Sequence, residues 1–263
     1  MTKIAIIGAG AMGGAIATGL LNNGYDASNL TVADPSDKVV GHFDALGAAA
    51  TTDNASAITD ADMVMVVVKP WLVEKVLSGI RGKLRYDSQT VVVIAAGISS
   101  EQLRTWLTNA DGQMPQTALV IPNIAVAIGE SMTFVAPVTA DGQAVSEIVK
   151  VFDLMGSTLV TEERLLAAGT TLASCGIAYA MRYIRAAVEG GVELGFKAAD
   201  AQQIVVQTVK GAAGLLSLPG AHPESEIDKV TTPGGVTIRG LNEMEHAGFT
   251  SAVIRGLKAG LKA

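Results

Sequence analysis

The sequence predicts an α/β fold, in which a doubly wound parallel sheet is followed by an all-helical region. Over the first 160 residues, short apolar runs rich in β-branched residues alternate with helical patterns, as is typical of buried parallel strands joined by helices. After that point the strands stop and the pattern is helical. We therefore place a domain boundary near residue 160, between a first domain at 1–160 and a second at 161–263.

A glycine-rich segment directly follows the first predicted strand, at 3–7, and precedes a helical pattern. Its Gly-x-Gly-x-x-Gly spacing between a strand and a helix is the dinucleotide-binding fingerprint of a Rossmann fold. The three glycines respectively permit a tight turn, let the backbone approach a pyrophosphate, and let helix and strand pack closely. The cofactor-binding residues predicted here are Gly8, Gly10, Ala11, Met12 and Gly13.

The second strand, at 30–33, ends in Asp34, which is 21 residues after Gly13. An acid at this place binds the ribose hydroxyls of the adenosine, and it favours NADH because it repels a 2′-phosphate. Ser36 or Lys38 could hold that phosphate if the Asp34 side chain turned away. The expected cofactor is therefore NADPH or NADH, with the acid alone favouring NADH.

Three further strands are predicted at 62–68, 90–94 and 118–121. Ligands of an open parallel sheet bind beyond the carboxyl ends of its strands, so the turns there are candidates for the cofactor site. A solvated lysine and an ordinary asparagine turn are the plain alternatives for the polar members. These candidates are Lys69, Pro70, Ala95, Ala96, Gly97 and Asn123.

The remaining elements complete the sheet and form the helical region. A last full strand is expected at 132–136, a helix at 141–155, and a short edge strand or linker at 158–160. Acidic residues in the first turn mark the next helix start. Helices are predicted at 162–195, 198–217 and 236–261.

Composition excludes several function classes. The net charge is −6, the isoelectric point is about 5.1 and basic residues do not cluster, which argues against a nucleic-acid partner. One cysteine, Cys175, offers no internal disulfide, and three scattered histidines lack zinc-ligand spacing, so no metal is expected. The first strand begins by residue 3, which leaves no room for a signal peptide and predicts a cytoplasmic protein.

Residues 165–181 carry no charge over 17 positions. A membrane span is one interpretation, but the length is marginal and the segment contains glycines, hydroxyl residues and a cysteine. Small residues instead allow close helix packing within or between subunits. We expect a buried interface helix, no membrane partner and an obligate homodimer.

The segment 230–237 reads Val-Thr-Thr-Pro-Gly-Gly-Val-Thr and precedes a helical pattern. A rigid turn at a helix start gathers backbone N–H groups, which together with the helix dipole can bind a small carboxylate. The Thr237 hydroxyl stands in the same first turn. A plain Pro-Gly-Gly turn without a ligand is the alternative.

Both halves together resemble pyrroline-5-carboxylate reductases over nearly the whole chain. The resemblance implies a Rossmann domain and a helical dimerisation domain, and hydride transfer from NAD(P)H to the C=N bond of 1-pyrroline-5-carboxylate, giving L-proline in the last step of proline biosynthesis. It also implies a homodimer, with rings of dimers in some members. The segments that carry the resemblance are 8–13, Asn54, 68–70, 95–97, 122–123, 230–237 with Asp228, and 240–241.

Residue roles follow from the same resemblance. The backbone around Gly235, Val236 and Thr237 would receive the substrate carboxylate, and Thr237 would hydrogen-bond the ring nitrogen as the catalytic residue. The nicotinamide would lie near 95–97 and Asn123. The resemblance adds Asn54 and Val68 to the cofactor residues, and Thr232 and Gly234 to the substrate residues.

The chain departs from the family pattern at three places. Residues 119–125 lack the arginine, methionine, threonine and second proline of Arg-Val-Met-Pro-Asn-Thr-Pro, and residues 174–179 replace Gly-Ser-Gly-Pro-Ala-Tyr. We expect the long helix to run straighter without that proline. Trp71 takes the place of a usual glutamine.

These departures keep other functions open. One is a reductase of another cyclic imino acid, and another is a dinucleotide-binding sensor without catalysis. A β-hydroxyacid dehydrogenase shares the opening glycine motif, but it needs a lysine early in the long helix. No lysine occurs between Lys150 and Lys197, which argues against that class.

Overall fold

The computed structural model describes residues 1–261. Two compact units divide the chain, the first at Met1–Ser174 and the second beginning at Cys175. The strands of the first unit are β1 Ile4–Ile7, β2 Leu30–Ala33, β3 Ala49–Thr51, β4 Met63–Val66, β5 Thr90–Val93, β6 Gln116–Ile121, β7 Ser131–Pro137 and β8 Gly156–Val160. Its helices are α1 Ala11–Asn22, α2 Asp37–Ala45, α3 Asn54–Ala57, α4 Pro70–Ile80, α5 Ser100–Leu107, α6 Gly142–Asp153 and α7 Leu166–Gly169.

The strands form one sheet in the order β3-β2-β1-β4-β5-β6-β7-β8. Neighbours pair in parallel except β6 and β7, which are antiparallel. The chain runs outward from β1 to β3 and then resumes on the other side of β1 with β4. This arrangement confirms the predicted doubly wound sheet, and it places a topological switch point between β1 and β4, where such sheets bind ligands.

Both faces of the sheet are covered, which explains why its strands are continuously apolar. Ile4 and Ile6 point into a core that also contains Ile16 of α1 and Phe152 of α6. The alternate residues of β1 point into a second core, which contains Leu77 of α4 and residues of α5. The sheet is therefore held rigidly from both sides, and the turns at its carboxyl edge start from fixed positions.

The second unit consists of helices in the part of the chain that the structure describes, as predicted. Gly191 packs so closely on Ala201 that a Cβ added at the glycine would lie 2.9 Å from the Ala201 Cβ. Tyr183 and Phe249 make an edge-to-face contact with centroids 6.4 Å apart. The helices are α8 Gly176–Glu193, α9 Ala198–Leu216, α10 Pro223–Val230, α11 Val236–His246 and α12 Phe249–Gly260.

Many large apolar side chains of this second unit are exposed, and Leu194 keeps 82% of its accessible surface. Exposed large apolar side chains in this number are typical of a surface that associates with another protein. Other exposed members are Met181, Phe196, Ile204, Val206 and Leu215. No helix within residues 1–261 has the length and apolar character that crossing a membrane requires.

The predicted boundary near residue 160 coincides with the end of β8, whereas the compact units divide after Ser174. The intervening segment contacts the first unit through side chains. Glu163 accepts a hydrogen bond from the Ser100 backbone N–H through Oε1 at 2.9 Å, and Leu166 is buried in the second core. A helical pattern alone does not show which unit a helix packs against.

The predicted helix over 162–195 is not one regular helix, and this prediction was wrong in detail. A 3₁₀ turn and α7 lead into a π-helical turn at Thr170–Cys175, and α8 follows. Thr170 and Thr171 donate side-chain hydrogen bonds to the carbonyls of Leu166 and Ala167, which loosens a helix locally. The expected straight run is therefore replaced by a π-helical turn.

Other differences are smaller. The predicted helix over 236–261 breaks between α11 and α12 at Gly248, whose φ of 82° ends the first helix. The sequence pattern also misses the short strand β3 and helix α10. The segment expected as an edge strand or linker at 158–160 is the longer edge strand β8.

Candidate active site

A cleft of about 500 Å³ opens at the carboxyl ends of β1, β4, β5 and β6, next to the switch point of the sheet. All of its lining residues belong to the first unit. Ten of the predicted cofactor residues line it, which brings together segments that are up to 88 residues apart in the chain. They are Gly8, Gly10, Ala11, Met12, Asp34, Val68, Lys69, Pro70, Ala95 and Ala96.

The glycine loop has the shape that a dinucleotide needs. Gly8 has a φ of +90°, and a Cβ there would lie 2.5 Å from the Val67 carbonyl oxygen. A Cβ at Gly13 would lie 1.9 Å from the Gly8 oxygen, so only glycine allows this contact between helix and loop. At Gly10 an added Cβ would meet no atom within 4 Å, which leaves open space for a ligand against the backbone.

Helix α1 starts at this open space. Its N-cap is Gly10, no side chain caps it, and its first turn contains no acidic residue. The first N–H groups of a helix have no partner within the helix, and they attract anions together with the helix dipole. A pyrophosphate fits this uncapped start, because it would satisfy N–H groups that no side chain of α1 satisfies.

Asp34 faces the glycine loop. Its Oδ2 accepts a hydrogen bond from the Ala9 N–H at 2.9 Å, and its Oδ1 accepts one from the Ser36 N–H at 3.0 Å. The carboxylate thus faces the cleft. Ser36 or Lys38 was expected to hold a phosphate only if this carboxylate turned away. Ser36 does not line the cleft.

Three other predicted cofactor residues also lie outside this cleft. Gly13 acts through packing, and Gly97 is in the turn after β5. Asn54 lines an adjacent cleft of about 480 Å³ that shares Gly8 and Val68 with the first. Asn54 therefore lies beside the loop and not in the main cleft.

Asn123 is buried and is used by the fold itself. Its side chain accepts a hydrogen bond from the Ala125 N–H at 3.0 Å, and its own N–H donates to the Ser131 hydroxyl at 3.1 Å. These bonds fix the turn between β6 and β7. Asn123 therefore holds this turn, and its contact with a cofactor stays a prediction, while the neighbouring Pro122 lines the cleft.

Two hydroxyl residues of the cleft were missed by the sequence analysis. Thr170 and Ser174 line it from the π-helical turn. Their spacing of four residues places them on one side of a helix, but nothing in the sequence shows that this side faces the coenzyme cleft.

The predicted substrate loop lies in the second unit, between α10 and α11. The Gly235 N–H donates to the Thr232 carbonyl at 2.9 Å, and Gly234 has a φ of +69°. A Cβ at Gly235 would lie 2.4 Å from the Thr232 hydroxyl oxygen, so the second glycine is required for this turn. The hydrogen bond and this close contact together define the conformation of the turn.

Helix α11 begins directly after this turn, with Gly235 as its N-cap. No side chain caps the helix and its first turn contains no acidic residue. Val236 is 77% exposed, and Thr237 is half-buried in the first turn. The free N–H groups and the Thr237 hydroxyl together suit a small molecule with a carboxylate and a hydrogen-bonding nitrogen.

Comparison with known proteins agrees with both halves. Residues 163–263 match the family model for pyrroline-5-carboxylate reductase dimerisation, and residues 3–97 match a model described as NADP oxidoreductase, coenzyme F420-dependent. Pyrroline-5-carboxylate reductase 1 of Dictyostelium discoideum is 37% identical over 97% of this chain, which spans 48% of that relative's length.

Two further comparisons cover almost the full length of both proteins. Pyrroline-5-carboxylate reductase 2 of Dictyostelium discoideum is 36% identical over 97% of this chain and 89% of its own length. The structure of a pyrroline-5-carboxylate reductase from Coxiella burnetii has a TM-score of 0.90 at 25% identity, covering 99% of this chain and 96% of that one. With a glycine-lined dinucleotide cleft in one unit, a tight Pro-Gly-Gly turn in the other and these relatives over nearly its whole length, this chain belongs to the pyrroline-5-carboxylate reductase family.

Proposed function

We propose that this protein reduces 1-pyrroline-5-carboxylate to L-proline with NADPH or NADH, which is the last step of proline biosynthesis. The observation that supports this most directly is the loop at 230–237, whose two glycines leave an uncapped helix start beside the Thr237 hydroxyl. A strongly apolar or strongly basic ligand would not need this arrangement, whereas a small imino acid carries the carboxylate that it suits.

The first unit would bind the coenzyme, which supplies the hydride when bound. In this proposal the N–H groups of Ala11, Met12 and Gly13 receive the pyrophosphate, and Asp34 receives the adenosine ribose. The carboxyl ends of β4, β5 and β6 would hold the nicotinamide half. The residues proposed there are Val68, Lys69, Pro70, Ala95, Ala96, Gly97 and Asn123, with Ser36 and Asn54 nearer the adenosine half.

The second unit would bind the substrate. The backbone N–H groups of Val236 and Thr237 would receive the carboxylate. The Gly235 N–H donates to the Thr232 carbonyl, so Gly235, Thr232 and Gly234 would set the shape of the turn around the substrate. The Thr237 hydroxyl would hydrogen-bond the ring nitrogen. A neutral hydroxyl suits this position, because the imine carbon becomes electrophilic when its nitrogen is protonated, and a strong base would remove that proton.

The proposed assembly is a homodimer formed through residues 161–263, in agreement with the family model matched there. The exposed apolar side chains of α8 and α9 supply the surface that such an interface would bury. We further propose that the partner subunit takes part in the reactive site, that dimers associate into a ring, and that the protein is cytoplasmic.

One assay tests the function. Purified protein is mixed with NADH or NADPH and 1-pyrroline-5-carboxylate, and the loss of absorbance of the reduced nicotinamide is followed. Rapid loss with this imine is expected. Loss only with other cyclic imines would instead identify the alternative reductase, and coenzyme binding without any loss would identify a sensor.

A further inference from the structure

The π-helical turn at Thr170–Cys175 forms one end of the coenzyme cleft. From it, the Ser174 hydroxyl donates a hydrogen bond to the Pro122 carbonyl with an oxygen–oxygen distance of 3.2 Å. This contact joins the turn to the carboxyl end of β6. π-Helical turns are uncommon and frequently lie at functional sites, and this one borders a site.

The position of Ser174 along the cleft follows from the order of the sheet. Asp34 follows β2, and the glycine loop, which would bind the pyrophosphate, follows β1. Both lie on one side of the switch point. Pro122 follows β6, which is the third strand along on the other side of β1. A dinucleotide that spans the switch point with its adenosine near Asp34 has its nicotinamide on the side of Pro122 and Ser174.

The hydrogen bond to Pro122 decides what Ser174 can recognise. A serine hydroxyl has one proton and two acceptor lone pairs. Because the proton points to the Pro122 carbonyl, the hydroxyl offers only lone pairs to the cleft. Thr170 is in the same situation, since its hydroxyl donates to the Leu166 carbonyl at 2.7 Å. The side chains at this end of the cleft thus accept hydrogen bonds and do not donate them.

We propose that Ser174 accepts a hydrogen bond from the amino group of the nicotinamide carboxamide and thereby fixes the orientation of the ring. This inference rests on the proposed coenzyme, but not on the identity of the imine. The carboxamide is the group of the nicotinamide half that carries N–H donors. Because it is attached to one edge of the ring, holding it in place fixes the rotation of the ring about the glycosidic bond, and this rotation sets which face is presented to a substrate. A hydroxyl without a free proton selects the amino end of this group over its oxygen.

The test measures nucleotide affinity for wild type and for Ser174→Ala, by calorimetry or by quenching of tryptophan fluorescence. The probes are NAD⁺, nicotinic acid adenine dinucleotide and ADP-ribose, each with a 2′-phosphate if the protein prefers NADPH. Ser174→Ala should bind NAD⁺ about fivefold more weakly, which is the size of one hydrogen bond between neutral groups. Its affinity for ADP-ribose should be unchanged, because ADP-ribose has no carboxamide. Its affinity for nicotinic acid adenine dinucleotide should not fall, because the carboxylate of that probe has no N–H to donate to Ser174.

Two further variants separate a contact from a folding effect. Thr171→Val removes a hydroxyl from the same turn that donates to the Ala167 carbonyl, but Thr171 is buried and does not line the cleft, so all three affinities should stay at the wild-type level. Ser174→Thr retains the hydroxyl and should restore NAD⁺ binding.

Equal weakening of NAD⁺ and ADP-ribose in Ser174→Ala would overturn the proposal, and so would unchanged NAD⁺ affinity. A protein that shows the expected affinities but reduces no imine would support the Ser174 contact and overturn the proposed reaction.

Discussion

The carboxylate of Asp34 accepts a hydrogen bond from the backbone N–H of Ala9, with an Oδ2–N distance of 2.9 Å. This bond joins the end of β2 to the glycine loop that follows β1. It also places a negative charge on the wall of the coenzyme cleft. We therefore expect the choice between the two coenzymes to depend on this carboxylate, which is held in position by the glycine loop.

Replacing Asp34 with Asn should shift the coenzyme preference toward NADPH. The amide oxygen of Asn can still accept from the Ala9 N–H, so the contact with the glycine loop should be retained while the charge is lost. Only the hydrogen bond from the exposed Ser36 N–H lacks its acceptor in this variant. Two unit charges about 5 Å apart repel by about 3 kcal/mol at an effective dielectric constant of about 20. We expect the ratio of kcat/KM for NADPH to that for NADH to rise by a factor of about ten or more.

Asp44 provides the control for this prediction. It lies on α2, is exposed and does not line the cleft, so Asp44→Asn changes the net charge equally without changing the site. This variant should keep the wild-type ratio. An unchanged ratio in Asp34→Asn would show that Asp34 does not discriminate between the coenzymes.

Alanine substitutions at two glycines of the same loop should separate binding from folding. Gly10→Ala should fold normally, because its added Cβ meets no protein atom, but coenzyme affinity should fall by a factor of about thirty or more because the methyl group occupies the space for the pyrophosphate. Gly13→Ala should lower the thermal unfolding midpoint, since overpacking costs about 1–3 kcal/mol. Differential scanning fluorimetry and a coenzyme titration measure both effects. A stable Gly13→Ala protein, or an unimpaired Gly10→Ala, would contradict this division of roles.

The sequence predicted the sheet and the glycine loop because both depend on local patterns. Continuous apolar runs mark buried strands, and the spacing of Gly8, Gly10 and Gly13 serves one turn and one helix start. The sequence pattern did not predict the short strand Ala49–Thr51, because two of its three residues are alanines and only pairing with β2 makes it a strand.

The site was predicted less completely, because several of its features arise from contacts between distant segments. Asn123 carries a side chain that suits a ligand, yet its Oδ1 accepts a hydrogen bond from the Ala125 N–H, while its backbone N–H donates to the Ser131 hydroxyl. Conversely, Thr170 and Ser174 belong to no recognisable sequence motif, and only the π-helical turn brings them to the cleft. Local patterns predict where a backbone turns, whereas side-chain partners depend on the completed fold.

Gln89 should be a key residue for the stability of the first unit. It is fully buried, its Nε2 donates to the carbonyls of Ile58 and Ala61 at 2.7 and 2.8 Å, and its Oε1 accepts from the Arg85 N–H at 2.8 Å. Gln89→Leu leaves these backbone groups without this partner, so we expect the free energy of unfolding to fall by about 3 kcal/mol or more.

Urea denaturation measures this loss, and Gln143→Leu, which changes an exposed glutamine at the start of α6, should leave the midpoint nearly unchanged. Equal midpoints for the two variants would show that the Gln89 hydrogen bonds contribute little net stability.

Thr237→Ala should lower turnover at least about tenfold, which corresponds to about 1.4 kcal/mol of transition-state stabilisation. The methyl side chain cannot hydrogen-bond the ring nitrogen, while the backbone N–H groups at the start of α11 remain to bind the carboxylate. Coenzyme affinity should be nearly unchanged, because the coenzyme cleft is lined by the other unit. Thr231→Val is the matched control, since Thr231 lies in the same loop but donates its hydroxyl proton to the Asp228 carbonyl at 3.2 Å. Steady-state kinetics with 1-pyrroline-5-carboxylate measures the turnover of both variants. If Thr237→Ala and Thr231→Val both turned over at the wild-type rate, Thr237 would have no role in the mechanism.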